Sequence, residues 1–118
     1  MTEIESFFDG YTKALLARDE RAVAALYAVP ALVLFPGQSV AVSDVRQTEA
    51  FWASAWDQYG GVAEALPEVA VIADAGFSVW ADVTWRHDGV PSERFVYQLV
   101  RHEDGWRIAV LTAMALGS

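Results

Sequence analysis

The chain has 118 residues, 54% apolar and 13% aromatic, with a net charge of −8 and no cysteine. That length gives one domain, residues 1–118, able to bury a core unaided. The missing cysteine excludes a disulfide framework, thiolate metal sites and a cysteine nucleophile, while the acidic balance argues against nucleic acid and anionic membrane as partners.

The N-terminal MTEIESFFDG lacks a basic region followed by an apolar run, so no signal peptide is expected. No apolar run approaches the roughly 18 residues that span a bilayer, and a cytoplasmic location is the expectation. Ile4, Phe7, Phe8, Tyr11, Ala14 and Leu15 recur at helical spacing and predict a helix over 3–17. Gly10 inside it suggests close packing against another backbone. Asp19 is a candidate N-cap for a shorter helix, 20–27, which Pro30 ends. Ala31–Phe35 reads as a strand closed by Pro36-Gly37, and Ser39–Val42 as a second short strand. Ser43 is placed to cap a third helix, with Asp44 in its first turn. Val45, Thr48, Trp52, Ala55, Trp56 and Tyr59 share one face of it, and Gly60-Gly61 stops it.

Beyond this point the period changes from helical to alternating. Glu64–Ala73 is a strand candidate whose Pro67 places it at an edge. Phe77–Arg86, Ser92–His102 and Trp106–Ala115 follow, separated by His87-Asp88-Gly89 and Glu103-Asp104-Gly105. Helices segregated from a mostly antiparallel sheet make the chain α+β. In the strand 77–86, Phe77, Val79, Ala81, Val83 and Trp85 form an apolar face toward the helices. Trp80 lies on the other face, which Phe95, Tyr97 and Leu99 are expected to extend. A large aromatic patch there predicts a homodimer through the outer sheet, the alternative being a solvated face with scattered aromatics.

Two stretches carry a resemblance, FFDGYTKALLARDERAVAALYAVPALVLFPG near the start and LVRHEDGWRIAVLTAM at the end. In element order and in these stretches the chain resembles the nuclear transport factor 2-like superfamily, which includes polyketide cyclase-like and ketosteroid isomerase-like proteins. The resemblance implies a cone-shaped, cystatin-like roll: three N-terminal helices packed on a curved, mostly antiparallel sheet. Its members include isomerases, dehydratases, epoxide hydrolases and cyclases, so fold alone does not fix function. The resemblance puts Tyr11 where ketosteroid isomerases have an oxyanion-stabilising tyrosine. Tyr11 also reads as a core tyrosine with a local hydrogen-bond partner. That family's general-base carboxylate falls on Phe35, which accepts no proton. Its second acid falls on Gln98, or on Tyr97 in an ungapped last turn. Ketosteroid isomerisation itself is therefore rejected.

Alternation read inward gives the expected cup lining. The strand 77–86 contributes its apolar face, the next strand Arg94, Val96, Gln98 and Val100, and the last Ile108, Val110, Thr112 and Met114. Tyr11, Phe35, Trp52 and Trp56 close the space. The expected ligand-binding set is Tyr11, Phe35, Trp52, Trp56, Trp85, Arg94, Gln98, Thr112 and Met114, suited to a small flat hydrophobic ligand. The same side chains also read as core that fills the cone. His87 and His102 lie beside Asp-Gly turns and read first as exposed turn residues. His87 and Asp9 are weaker candidates for a catalytic base than Tyr11 is for a catalytic group. Asp82 is expected to pair with Arg101 or Arg107, and Arg94 to meet an anionic ligand group. No metal-ligand spacing, phosphate loop or nucleophile elbow is present, and no cofactor is expected. Three readings remain: a small-molecule-binding cup, a cofactor-independent isomerase, cyclase or dehydratase acting on a hydrophobic carbonyl compound, and a non-catalytic dimerisation module.

Overall fold

The computed structural model describes residues 2–116. Helix α1, Glu3–Leu16, starts where its sequence caps it: Thr2 Oγ1 accepts from the Glu5 amide, and the Glu5 carboxylate accepts from the Thr2 amide, both at 3.1 Å. Ile4, Phe8 and Tyr11 form its buried stripe. Gly10 faces open space rather than another backbone, which corrects the expectation of close packing. Asp19 caps helix α2, Glu20–Ala24, by accepting from Ala22. This helix is shorter than expected because Tyr27 already opens strand β1, Tyr27–Phe35. Pro30 is therefore inside a strand. It sits at a register shift between Tyr27 and Leu32, where the missing N–H removes nothing from the ladder.

Strand β2, Gln38–Val42, returns antiparallel to β1. Helix α3, Val45–Ala55, is capped by Asp44, one residue later than expected. Asp44 Oδ1 accepts from the Arg46 amide at 2.7 Å, and Gln47 Oε1 accepts from the amides of Ser43 and Asp44. After Ala55 the coil tightens into a single 3-10 turn, Trp56–Tyr59. Trp56 and Tyr59 thus leave the line of the α3 face. Of that face Thr48 and Trp52 are buried, while Val45 is exposed.

Four strands follow: β3, Ala65–Asp74; β4, Ser78–His87; β5, Val90–His102; β6, Gly105–Met114. The described residues form a six-stranded sheet in the order β2-β1-β6-β5-β4-β3. Every neighbouring pair is antiparallel except β1 with β6, which is parallel. The turn between β4 and β5 has Asp88 at φ +53° and Gly89 at φ +86°, the left-handed pair that a two-residue hairpin requires. Asp88 Oδ1 also accepts from the amides of Ala63 and Glu64, which ties this turn to the entry of β3.

The inner face of the sheet corrects several expectations. On β4 it is Val79, Ala81, Val83 and Trp85, as alternation requires, but Phe77 precedes the strand and is 70% exposed. On β5 the buried residues are Phe95, Tyr97 and Leu99, so these three belong to the core and not to an outer interface. Arg94, Val96, Gln98 and Val100 accordingly face outward. Both faces of β5 carry apolar residues, with Val96 and Val100 beside Arg94 and Gln98 on the outer one, so a period of two leaves the choice of inner face open. On β6, Trp106 and Ile108 point inward, and a bulge at Ala109 then reverses the parity. Leu111 and Ala113 continue the inner face, and Val110, Thr112 and Met114 turn outward.

Asp82 pairs with Arg94 on the outer face rather than with Arg101 or Arg107. The carboxylate accepts from Nε at 2.9 Å and from Nη2 at 2.6 Å. This fork holds the Asp82 carboxyl below the usual carboxylate range.

Candidate functional site

The inner aromatics meet in one network. Tyr11 and Tyr27 share a hydrogen bond of 2.7 Å between their hydroxyls, and Trp85 Nε1 donates to the Tyr97 hydroxyl at 2.9 Å. Phe8 packs edge-on against Tyr97 at 5.0 Å between ring centres. Burial pushes the phenols of Tyr11, Tyr27 and Tyr97 well above their ordinary values. All three are hydrogen-bond groups of the core. The void beside Tyr11 and Trp85 is about 20 Å³. That void also touches Arg18, Tyr59, His87 and Glu93 and has room for about one water, so the space between α1 and the sheet is filled by its own side chains.

The space lies at the mouth. A cavity of about 330 Å³ opens between the end of β1, the end of α3 with its 3-10 turn, and the start of β5. Phe35, Phe51, Trp52, Tyr59 and Phe95 give it an aromatic wall, and Gln38, Ser54, Gln58 and Glu93 add polar groups. Phe35 meets Phe95 edge-on at 6.0 Å, and Phe51 meets Trp52 edge-on at 5.5 Å. Local chemistry holds the wall in place. The Arg18 guanidinium donates to the carbonyls of Leu16, Tyr59 and Val62, which fastens the 3-10 turn to the end of α1.

One cluster of polar groups stands on the rim. Trp85 on β4 pairs with Glu93 on β5, so Glu93 shares the inner face with Phe95 and Tyr97. His87 is the last residue of β4 and has the same parity as Trp85. The Tyr59 hydroxyl donates to Glu93 Oε1 at 2.9 Å, and His87 Nε2 lies 3.6 Å from the same oxygen. The Tyr59 ring stands edge-on to the imidazole at 5.6 Å. Burial, and then the Glu93 charge, push the Tyr59 phenol far above its ordinary value. This arrangement keeps Tyr59 a hydrogen-bond donor and presents a carboxylate to the mouth.

Of the residues expected at the site, Phe35 and Trp52 line the cavity, and Tyr11 and Trp85 lie deeper, at the small void. Trp56 lies beside Trp52 at 5.7 Å and donates to Glu20 at 3.3 Å. Gln98 faces outward and donates to Ser78 Oγ. Thr112 also faces outward, while Arg94 and Met114 border an open groove beyond the rim. Asp9 is exposed on α1. His87 is not an exposed turn residue: its side chain is 15% exposed. Glu93, Phe51 and Phe95 are lining residues that the alternation argument misses. Glu93 carries the same parity as Phe95 and Tyr97, so assigning the inner face by ring content finds it. Among the described residues no group of three or more His, Asp or Glu is placed to hold a metal ion.

A helix-backed, curved six-stranded sheet with a cavity at its open end defines an α+β roll of the NTF2-like class. The chain belongs to the family described as NTF2-like protein (DUF6841), whose model matches residues 2–115. No curated protein matches it. Among solved structures it is similar to an NTF2-like protein of unknown function from Shewanella oneidensis, with 13% identity, TM-score 0.75, and 94% of this chain and 95% of that chain covered. It is also similar to a protein of unknown function from Mycobacterium tuberculosis, at 15% identity and TM-score 0.69, covering 95% and 69% of the two chains. A cystatin-like domain of unknown function from Nostoc punctiforme aligns at 16% identity and TM-score 0.66, covering 96% and 76%. These likenesses establish the fold.

Proposed function

We propose that this protein binds a small, largely apolar organic molecule at the mouth of its roll. The observation that carries the reading is the 330 Å³ aromatic cavity beside the filled space between α1 and the sheet. That volume falls within the range of about 300–1,000 Å³ found for small-molecule sites, and its wall sets aromatic rings beside the polar Gln38, Ser54, Gln58 and Glu93. The binding residues are Phe35, Phe51, Trp52, Tyr59 and Phe95, with Tyr11 and Trp85 supporting them from below. The test is tryptophan fluorescence, with Trp52 as reporter, across a panel of small aromatic ketones, lactones and sterols. Saturable quenching that Ala55→Phe abolishes by filling the cavity is the expected result. No response across the panel from folded protein overturns the reading and leaves the dimerisation module in its place.

A second reading, a cofactor-independent isomerase, cyclase or dehydratase, is favoured by one observation, the imidazole and carboxylate of His87 and Glu93 on the rim. His87 is then the base, and the Tyr11 hydroxyl, engaged by Tyr27, is not the group that polarises the carbonyl. Deuterium exchange from solvent into the α-carbon of a bound ketone, lost in His87→Gln with binding retained, is the expected signature. Equal exchange in both proteins overturns it.

We also propose that two copies pair through the outer sheet. Leu32, Trp80 and Met114 are exposed there, beside the half-buried Val96, Val100 and Val110. The ionic pair on this face, Asp82–Arg94, is neutral by itself, so two copies meet there without the repulsion that a net charge of −8 implies elsewhere.

A further inference from the structure

The cavity has a charge imbalance. Its wall combines five aromatic rings and the neutral Gln38, Ser54 and Gln58 with the Glu93 carboxylate; no Lys, Arg or His lines it among the described residues, Arg18 and His87 lying instead on the small void that adjoins it. The nearby guanidinium groups are engaged elsewhere: Arg94 with Asp82 across the outer face, and Arg18 with the carbonyls of Leu16, Tyr59 and Val62. Tyr59 and His87 both meet Glu93 through Oε1. Oε2 accepts no hydrogen bond among the described residues, and the side chain is 31% exposed. A wholly apolar ligand that closed the mouth would desolvate Oε2 with no partner to replace its water, Oε1 alone being held by Tyr59 and His87. An anionic ligand would be repelled by it. A compact cation has two favourable partners at once, the carboxylate and the electron-rich aromatic rings of the wall.

From this combination we propose that the ligand carries a protonated amine or quaternary ammonium group, seated against Glu93, with its apolar remainder among Phe35, Phe51 and Phe95. The proposal rests on the small-molecule reading and specifies the class of molecule. Tyr59 is its positioning residue: the hydrogen bond to Oε1 fixes the carboxylate and leaves Oε2 toward the cation.

The experiment compares two probes of nearly equal shape, (4-hydroxyphenyl)trimethylammonium and neutral 4-tert-butylphenol, by calorimetry on the wild-type chain, Glu93→Gln, Glu93→Asp and Ala55→Phe. The cation binds the wild type about tenfold more tightly than its neutral isostere, the preference disappears in Glu93→Gln, and it persists in Glu93→Asp. Ala55→Phe abolishes binding of both. If the isostere binds the wild type as tightly as the cation, or Glu93→Gln keeps the preference, the cationic ligand is overturned while the cup remains. If neither probe nor any member of the aromatic panel binds, the cup and the cation fail together.

Discussion

At the scale of single residues, the tyrosines are the most constrained groups of this protein. All four in the sequence, Tyr11, Tyr27, Tyr59 and Tyr97, have phenols raised above the ordinary value of 10.0. Burial is the leading cause in each. The folded chain then holds phenolic protons that the unfolded chain loses near pH 10. Stability from these groups is full below that pH and falls as the pH rises above it, toward their folded values. Phenolate absorbance at 295 nm should therefore appear only together with cooperative alkaline unfolding, and no tyrosine should titrate near pH 10 in the native state. Tyr11→Phe leaves the Tyr27 hydroxyl buried without its partner and should destabilise the fold by about 1–3 kcal/mol in urea unfolding. The double variant Tyr11→Phe, Tyr27→Phe should recover part of that loss, because both partners are then apolar. A purely additive cycle would refute the coupling.

At the scale of elements, α3 and the β4–β5 hairpin position the mouth. Helix α3 carries Phe51 and Trp52, and its first turn depends on the reciprocal bonds of Asp44 and Gln47. Asp44→Ala should destabilise the chain by about 1 kcal/mol, read as a lower urea midpoint with an unchanged m-value. The sheet shows which features are legible in a sequence. Strand ends are readable to within a few residues, since Asp-Gly turns mark them. The inner face of β4 is readable because its outer face carries Asp82, Thr84 and Arg86. The face of β5 is not, because Val96 and Val100 match Phe95, Tyr97 and Leu99 in polarity. The bulge at Ala109 leaves no mark, since a small apolar residue fits either parity.

At the scale of the whole molecule, the outer sheet is the surface proposed for pairing two copies. Trp80 is 37% exposed on that face, on β4. On this proposal the wild type should sediment as a dimer at micromolar concentration, and Trp80→Lys as a monomer. A monomeric wild type would refute pairing. The Asp82–Arg94 fork contributes stability that is present above the ordinary carboxylate range and lost as the pH falls through the depressed Asp82 value. Acid unfolding of Asp82→Asn should accordingly be less steep in pH than that of the wild type.

The sequence by itself determined the element order, the α+β class, the resemblance that led to the family, and the wealth of inner aromatics. These follow from local periodicity, turn chemistry and composition, which are properties of neighbouring residues. Only the tertiary structure decided where the cone is filled and where it is open, that Tyr11 is satisfied by Tyr27, and that Glu93, His87 and Tyr59 share one rim. Those outcomes depend on strand register, on a one-residue bulge and on the depth to which α3 packs. Each is fixed by contacts between residues distant in the chain, and alternation along a single strand has no access to them.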